Sequence, residues 1–385
     1  MTWGPTENSE AGRKLVDQYN RRGADAKSDY QCFTWSKWPG VFAEAIGAGK
    51  APDLSTGSAY QAVQYYDQGE ILDLDDVFAD LRRTGKDRDF LTGTLERQSY
   101  RGHSIALPWA IDIRVPYYRK DLFARAGIRE PTTWEELRAA AKALTSSDRY
   151  GVMTCGASID GMHLLFVLIV NNGGGLFTTK GRLDVMSDRN MEAMTFLSDL
   201  VRDGSVHPGS IGFDTDDARR EFGMGTAAII IDTPGLENQL PDQAENIGLL
   251  APQAGPHGDK GTFYSVNNIM LYRQSKRPDA AKDFLIWWSE NQKSLWTEGR
   301  CDQLPARASI AADSFFTRSP FARQILDQWV PVCRTSGAQS PTIFPALNVI
   351  EGDGVMMTLY HDLSLGKEVL PSMRKAKERL EQIVG

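Results

Sequence analysis

Helix-period and strand-like segments alternate along nearly all of the 385 residues, and that alternation constrains the fold more than any single motif. Ala11, Leu15 and Tyr19 recur four apart on one face of a predicted surface helix, with Arg13, Lys14, Asp17 and Gln18 opposite. Pro52 to Gly57 reads as a short strand running into a loop, and Ala227 to Asp232, Ala-Ala-Ile-Ile-Ile-Asp, as a buried strand. Pro131-Thr132-Thr133 opens a helix with the stripe Trp134, Leu137, Ala141 and Leu144, and Glu135 and Glu136 stand three residues beyond the threonines. Met194, Leu197 and Val201 mark another helix, opened by Ser187 and closed by Gly204. Further helices carry Ala281, Phe284, Leu285 and Trp288, and then Met373, Ala376, Leu380 and Ile383. The class predicted is α/β with mainly parallel pairing. The length exceeds what one core organises, and no repeat or low-complexity linker separates beads on a string. Two lobes joined by several extended crossings fit best; Ser104 to Tyr118, with interior prolines, reads as one such crossing.

Several function classes fall away. The longest apolar run, Met162 to Val170, is about half of what a bilayer requires and contains His163. With 43 basic and 50 acidic residues the net charge is −7, which argues against nucleic acid or anionic membrane as partner. The N-terminal residues lack the basic, apolar and small-residue blocks of a signal peptide. Cys32, Cys155, Cys301 and Cys333 form no CxxC pair; four separate thiols or one or two bridges are both open, Cys301 and Cys333 being nearest in sequence. The five histidines form no metal-ligand spacing, so no metal and no cofactor is expected. Glu44 stands where a phosphate-cradling loop ending at Lys50 needs glycine, and Asp160 stands where a serine-hydrolase elbow around Ser158 needs glycine. Acidic runs at Asp73 to Asp76 and Asp214 to Asp217 keep a secreted glycoside hydrolase as an alternative, although acids of this kind also begin helices. Trp35 and Trp109 sit in non-periodic stretches, where a ring face beside polar groups suits a pyranose; core packing is the other reading of each.

Read in order, the segments resemble the extracellular solute-binding proteins of bacterial ABC importers, the maltose-binding-protein-like carbohydrate family. The resemblance is carried by Gly49-Lys50-Ala51-Pro52-Asp53-Leu54, by Leu107-Pro108-Trp109-Ala110-Ile111-Asp112 through Tyr118-Arg119-Lys120-Asp121-Leu122-Phe123, and by Pro131-Thr132-Thr133-Trp134-Glu135-Glu136-Leu137. Asn172-Gly173-Gly174, Asp199 to Gly204, Phe222 to Ala228, Pro278 to Phe284 and Leu304-Pro305-Ala306-Arg307 follow in the family's order. It implies a two-lobed, periplasmic-binding-protein-like clamp of the Venus-flytrap kind, each lobe a mainly parallel sheet flanked by helices. The lobes would be residues 1–111 with 260–308, and 112–259 with 309–385. A mono- or oligosaccharide would be held in the interdomain cleft as the hinge closes, then delivered to ABC permease subunits, with no bond made or broken. A polyol, a sugar acid or a glycerophosphodiester is the alternative ligand. The resemblance further implies a monomer outside the cytoplasm, in the periplasm or lipid-anchored at the membrane's outer face, with its signal sequence not among these residues.

The same resemblance nominates ligand contacts. Asp112 aligns with an acidic position that bonds sugar hydroxyls, a hinge-capping carboxylate being its other reading. Gly57, Ser58 and Trp35 lie in family contact loops. His163 aligns near an aromatic sugar-contacting position and Asn172 precedes the Gly-Gly turn; packing and turn roles are open for both. Arg307 reaches toward the cleft or forms a surface salt bridge. Gly235 stands where many relatives carry tryptophan, and Asn267-Asn268 replaces a commonly Gly-Gly pair. Arg114, if turned inward, suits a carboxylate or phosphate; if turned away, the ligand is neutral.

Overall fold

The computed structural model describes residues 2–5, 9–23, 26–33, 38–57, 59–338 and 345–385. The predicted helices form because their stripes have something to cover. Ser9–Arg21 buries Ala11, Leu15 and Tyr19. Trp134–Leu144 begins where Thr133 accepts the Glu136 N–H at 3.2 Å, while the Glu136 carboxylate takes the Thr132 N–H and hydroxyl, both at 2.7 Å. Ser187 caps Asp188–Arg202. The C-terminal helix carrying Met373, Ala376 and Leu380 starts at Val369, because Pro371 is tolerated in a first turn that needs no donor from it. Both acidic runs prove to be helix starts: Asp75 and Asp76 lie in the first turn of Asp75–Thr84, and Asp214 with Asp217 forms a capping box on Thr215–Met224.

The chain divides into two compact units, Met1–Asp112 with Ser265–Arg318 and Ile343–Asn348, and Ile113–Tyr264 with Ser319–Thr342 and Val349–Gly385. In the first, strands follow the order Leu304–Pro305, Leu107–Ile113, Thr262–Leu271, Leu54–Gly57, Thr2–Pro5, Tyr30–Phe33. Thr2–Pro5 pairs in parallel with both neighbours, whereas Thr262–Leu271 returns antiparallel to Leu54–Gly57. Phe42, Val63, Ile71, Ile105, Met270 and Tyr272 are the centre of its core, each such burial contributing about 1.5–3 kcal/mol.

The second unit carries the order Ile247–Leu249, Val115–Arg119, Ala227–Asp232, Tyr150–Met153. Only the last pair is parallel. Pairing in the molecule is therefore mixed: it is parallel where a helix returns the chain, and antiparallel where the long crossing strands come back through a sheet. The apolar run around Val170 is the helix Ile159–Asn171, buried from Gly161 onward on every side. Among the described residues no helix is long and apolar enough to cross a membrane. All four cysteines are free thiols.

Candidate functional site

Register fixes where chemistry gathers in the second unit. Val115 pairs with Asp232, and Met153 with Ile230, so Arg114, Asp232 and the segment after Met153 emerge at one edge of the sheet. That edge holds the carboxyl ends of its two parallel strands, where open α/β sheets collect ligands. Thr154, Cys155 and Gly156 lead from it to Ser158, which caps Ile159–Asn171 by accepting the Asp160 N–H at 3.3 Å. Gly156 is required by close approach: a Cβ there would stand 2.7 Å from the Ile211 backbone.

Arg114 is turned into this cluster and paired within it. Its Nη1 lies 2.7 Å from Asp160 Oδ1, with the two side chains 8% and 12% exposed. Thr262 donates its hydroxyl to the Arg114 carbonyl, and the Arg114 N–H donates to the Phe263 carbonyl at 3.1 Å. Asp160 also accepts from Ser158 Oγ at 3.2 Å and from the Thr215 hydroxyl, and His163 Nδ1 stands 3.6 Å away. Burial alone would push the Asp160 carboxyl up, but Arg114, His163 and Thr215 outweigh it and hold the group well below the usual carboxylate range. The His163 ring packs 4.7 Å from Phe263. Beside this pair, Arg219 grips Asp232 with two 2.8 Å bonds, and Thr233 Oγ1 accepts from the same guanidinium at 2.9 Å. Burial, together with Asp160 and Asp232, raises the Cys155 thiol well above its ordinary value. The edge thus gathers the hydroxyls of Ser158, Thr215 and Thr233 around two compensated ion pairs.

The nominated residues are spread more widely than this edge. The structure brings together Arg114 and His163, with Gly235 three residues past Asp232; Gly235 has φ +86°, a left-handed backbone that disfavours the tryptophan of relatives. Asn172 sits at the opposite end of the helix from Asp160, about 18 Å along its axis at 1.5 Å per residue. There it caps the C-terminus, and its Nδ2 donates to the Arg189 carbonyl and to Glu192 Oε2, both at 2.8 Å. In the first unit, Gly57 lies opposite Asn268, whose Nδ2 donates to Gln98 Oε1 at 3.0 Å, and Asn267 is buried beside it in the same strand. Asp112 is half-buried and is the last residue of the first unit before the chain passes to the second. Trp109 is 1% exposed and packs 6.1 Å from Trp296, a core position. Arg307 is 2% exposed, bonded to Ser289 Oγ at 2.8 Å and to Asp89 Oδ2 at 2.9 Å, with its guanidinium 4.3 Å over Phe90. It is buried and cross-linked within the first unit. Trp35 and Ser58 lie outside the described residues. Asp160, Thr215, Arg219 and Asp232 were not nominated. The available signal for Asp160 was its place at the second helical position after a serine cap, ahead of a wholly apolar helix.

Comparison with known proteins agrees with this architecture. Residues 3–293 match the family described as bacterial extracellular solute-binding protein. The crystal structure of a sugar transporter from Arthrobacter chlorophenolicus A6, with bound laminaribiose, is 32% identical; the match covers 99% of this chain and 98% of that one, with a TM-score of 0.92. A binding protein of Brucella abortus is 28% identical over 66% of this chain, and the mannitol-binding protein of Pseudomonas aeruginosa 27% over 71%. The matched regions span 63% and 65% of those relatives' lengths. On its two-unit α/β architecture and these matches, the chain belongs to the family of bacterial extracellular solute-binding proteins.

Proposed function

We propose that the protein captures a carbohydrate, a mono- or oligosaccharide, outside the cytoplasm and delivers it to the membrane permease subunits of an ABC importer. The observation that carries this reading is its correspondence, over essentially the whole chain, with a sugar transporter structure holding laminaribiose. The second unit's sheet edge supports it, since hydroxyls and compensated ion pairs suit a ligand rich in hydroxyl groups and without net charge. A polyol is a second reading, favoured by the mannitol-binding relative. The protein acts without chemical turnover, as a monomer, in the periplasm or lipid-anchored at the outer face of the membrane. The acidic runs that would have supplied a hydrolase pair serve as helix starts.

Calorimetry and thermal shift against laminaribiose, glucose, maltose and mannitol test the reading. A ligand at 100 times its Kd is expected to stabilise the protein by about 2.7 kcal/mol, with no product on chromatography. Silence toward the whole panel, or release of glucose from laminaribiose, overturns it.

A further inference from the structure

We propose that Asp160 determines the charge class of ligand accepted at this site, by neutralising Arg114. The inference rests on the carbohydrate reading and goes beyond it, since family membership does not say what sets the sign of the site. Arg114 places a guanidinium at the edge where the carboxyl ends of Tyr150–Met153 and Ala227–Asp232 meet. By itself such a group selects carboxylate- or phosphate-bearing ligands. Here the charge is matched at 2.7 Å. The matching carboxylate is built in rather than incidental: it occupies the first turn of a 13-residue helix and takes hydrogen bonds from Ser158 and Thr215. Asp232, the neighbouring carboxylate, is engaged on two oxygens by Arg219. Asp160 therefore acts through Arg114 as a positioning residue, and its removal changes ligand selectivity and not only stability.

The test measures affinity ratios by calorimetry at low ionic strength, with laminaribiose and glucose as neutral probes, glucuronate and sn-glycerol 3-phosphate as anions and glucosamine as cation. Asp160→Asn keeps the shape of the side chain and exposes the Arg114 charge. The ratio of anion to neutral affinity is expected to rise at least about tenfold for one of the two anions, and to fall again with added salt. Asp160→Glu restores the wild-type ratio, and adding Arg114→Gln to Asp160→Asn abolishes the gain, which a merely structural role would not produce. Arg114→Gln alone removes the arginine partner of Asp160, leaving His163 at 3.6 Å, and raises the ratio of glucosamine to glucose. That arm decides the matter if Asp160→Asn fails to fold. Unchanged ratios in the folded variants overturn the role of Asp160 alone. A wild-type protein silent toward every neutral probe overturns the carbohydrate reading with it.

Discussion

Two buried arginines of opposite meaning stand in the two units. Arg307 ties the turn at Asp89 to the helix Pro278–Asn291 and stacks on Phe90, so every direction from its guanidinium leads to protein. Arg114 is buried almost as deeply and paired at a similar distance, yet it sits where parallel strands end and a helix begins. Burial and ion pairing therefore do not distinguish an arginine enclosed by protein from one at the proposed binding edge. Position in the sheet does.

This contrast can be broken or sharpened by measurement. The largest effect is expected around the structural arginine's own core: Trp109→Ala should cost about 3–5 kcal/mol by denaturant unfolding, because a ring packed on Trp296 leaves a cavity. Arg307→Ala leaves Asp89 without its main counter-charge and should cost about 3 kcal/mol, while laminaribiose affinity of the folded protein stays within about twofold. A large loss of affinity there would erase the distinction between the two arginines.

Acid should separate the two pairs next. Burial pushes both carboxyls up, but Arg114, His163 and Thr215 for Asp160, and Arg307 and Ser309 for Asp89, hold them below the ordinary value. The folded chain thus binds fewer protons at these groups than the unfolded chain. Their contribution is intact above about pH 5 and is lost progressively as pH falls further. Asp160→Asn should remove more of the acid sensitivity than Asp89→Asn, since Asp160 is the more enclosed. The two stability profiles separate only below about pH 3, where Asp89 protonates in the folded chain before Asp160; equal flattening there would contradict that order. Smaller still, Asn172→Ala should cost about 1–2 kcal/mol by leaving the Arg189 carbonyl and Glu192 short of a donor, with ligand affinity unchanged. Finally, the raised thiol of Cys155 should resist alkylation in the native protein at neutral pH and react only on unfolding; prompt labelling would show that the edge opens more than its packing implies.

Much of the architecture was legible because it depends on local pattern. The capping at Thr133, the acidic helix starts and the buried run Ala227–Asp232 are written in consecutive residues. The antiparallel returns were not, because strand direction is settled by which distant segments cover one another. The site was half legible. Arg114 stood out as a charge in an apolar crossing, but whether that charge was free depended on a carboxylate 46 positions away in the chain. Asp160 entered the sequence reading only as the residue that spoils a hydrolase elbow, although its place after a serine cap was there to be read. Trp109 and Arg307 were legible as chemistry but not as enclosed: side-chain type is written in the sequence, while burial is decided by segments far apart in it.

The interleaving of the two units has a consequence for the life of the chain before it folds. The first unit's sheet takes its edge strand from Leu304–Pro305, and the second unit ends in the helix Val369–Val384. During synthesis, the strands of the second unit's sheet have all emerged by Leu249, whereas about four fifths of the polypeptide has left the ribosome before the first sheet can be completed, and the second unit's last helix comes with the end of the chain. Part of each unit's packing is nevertheless supplied only by the last segments of the chain.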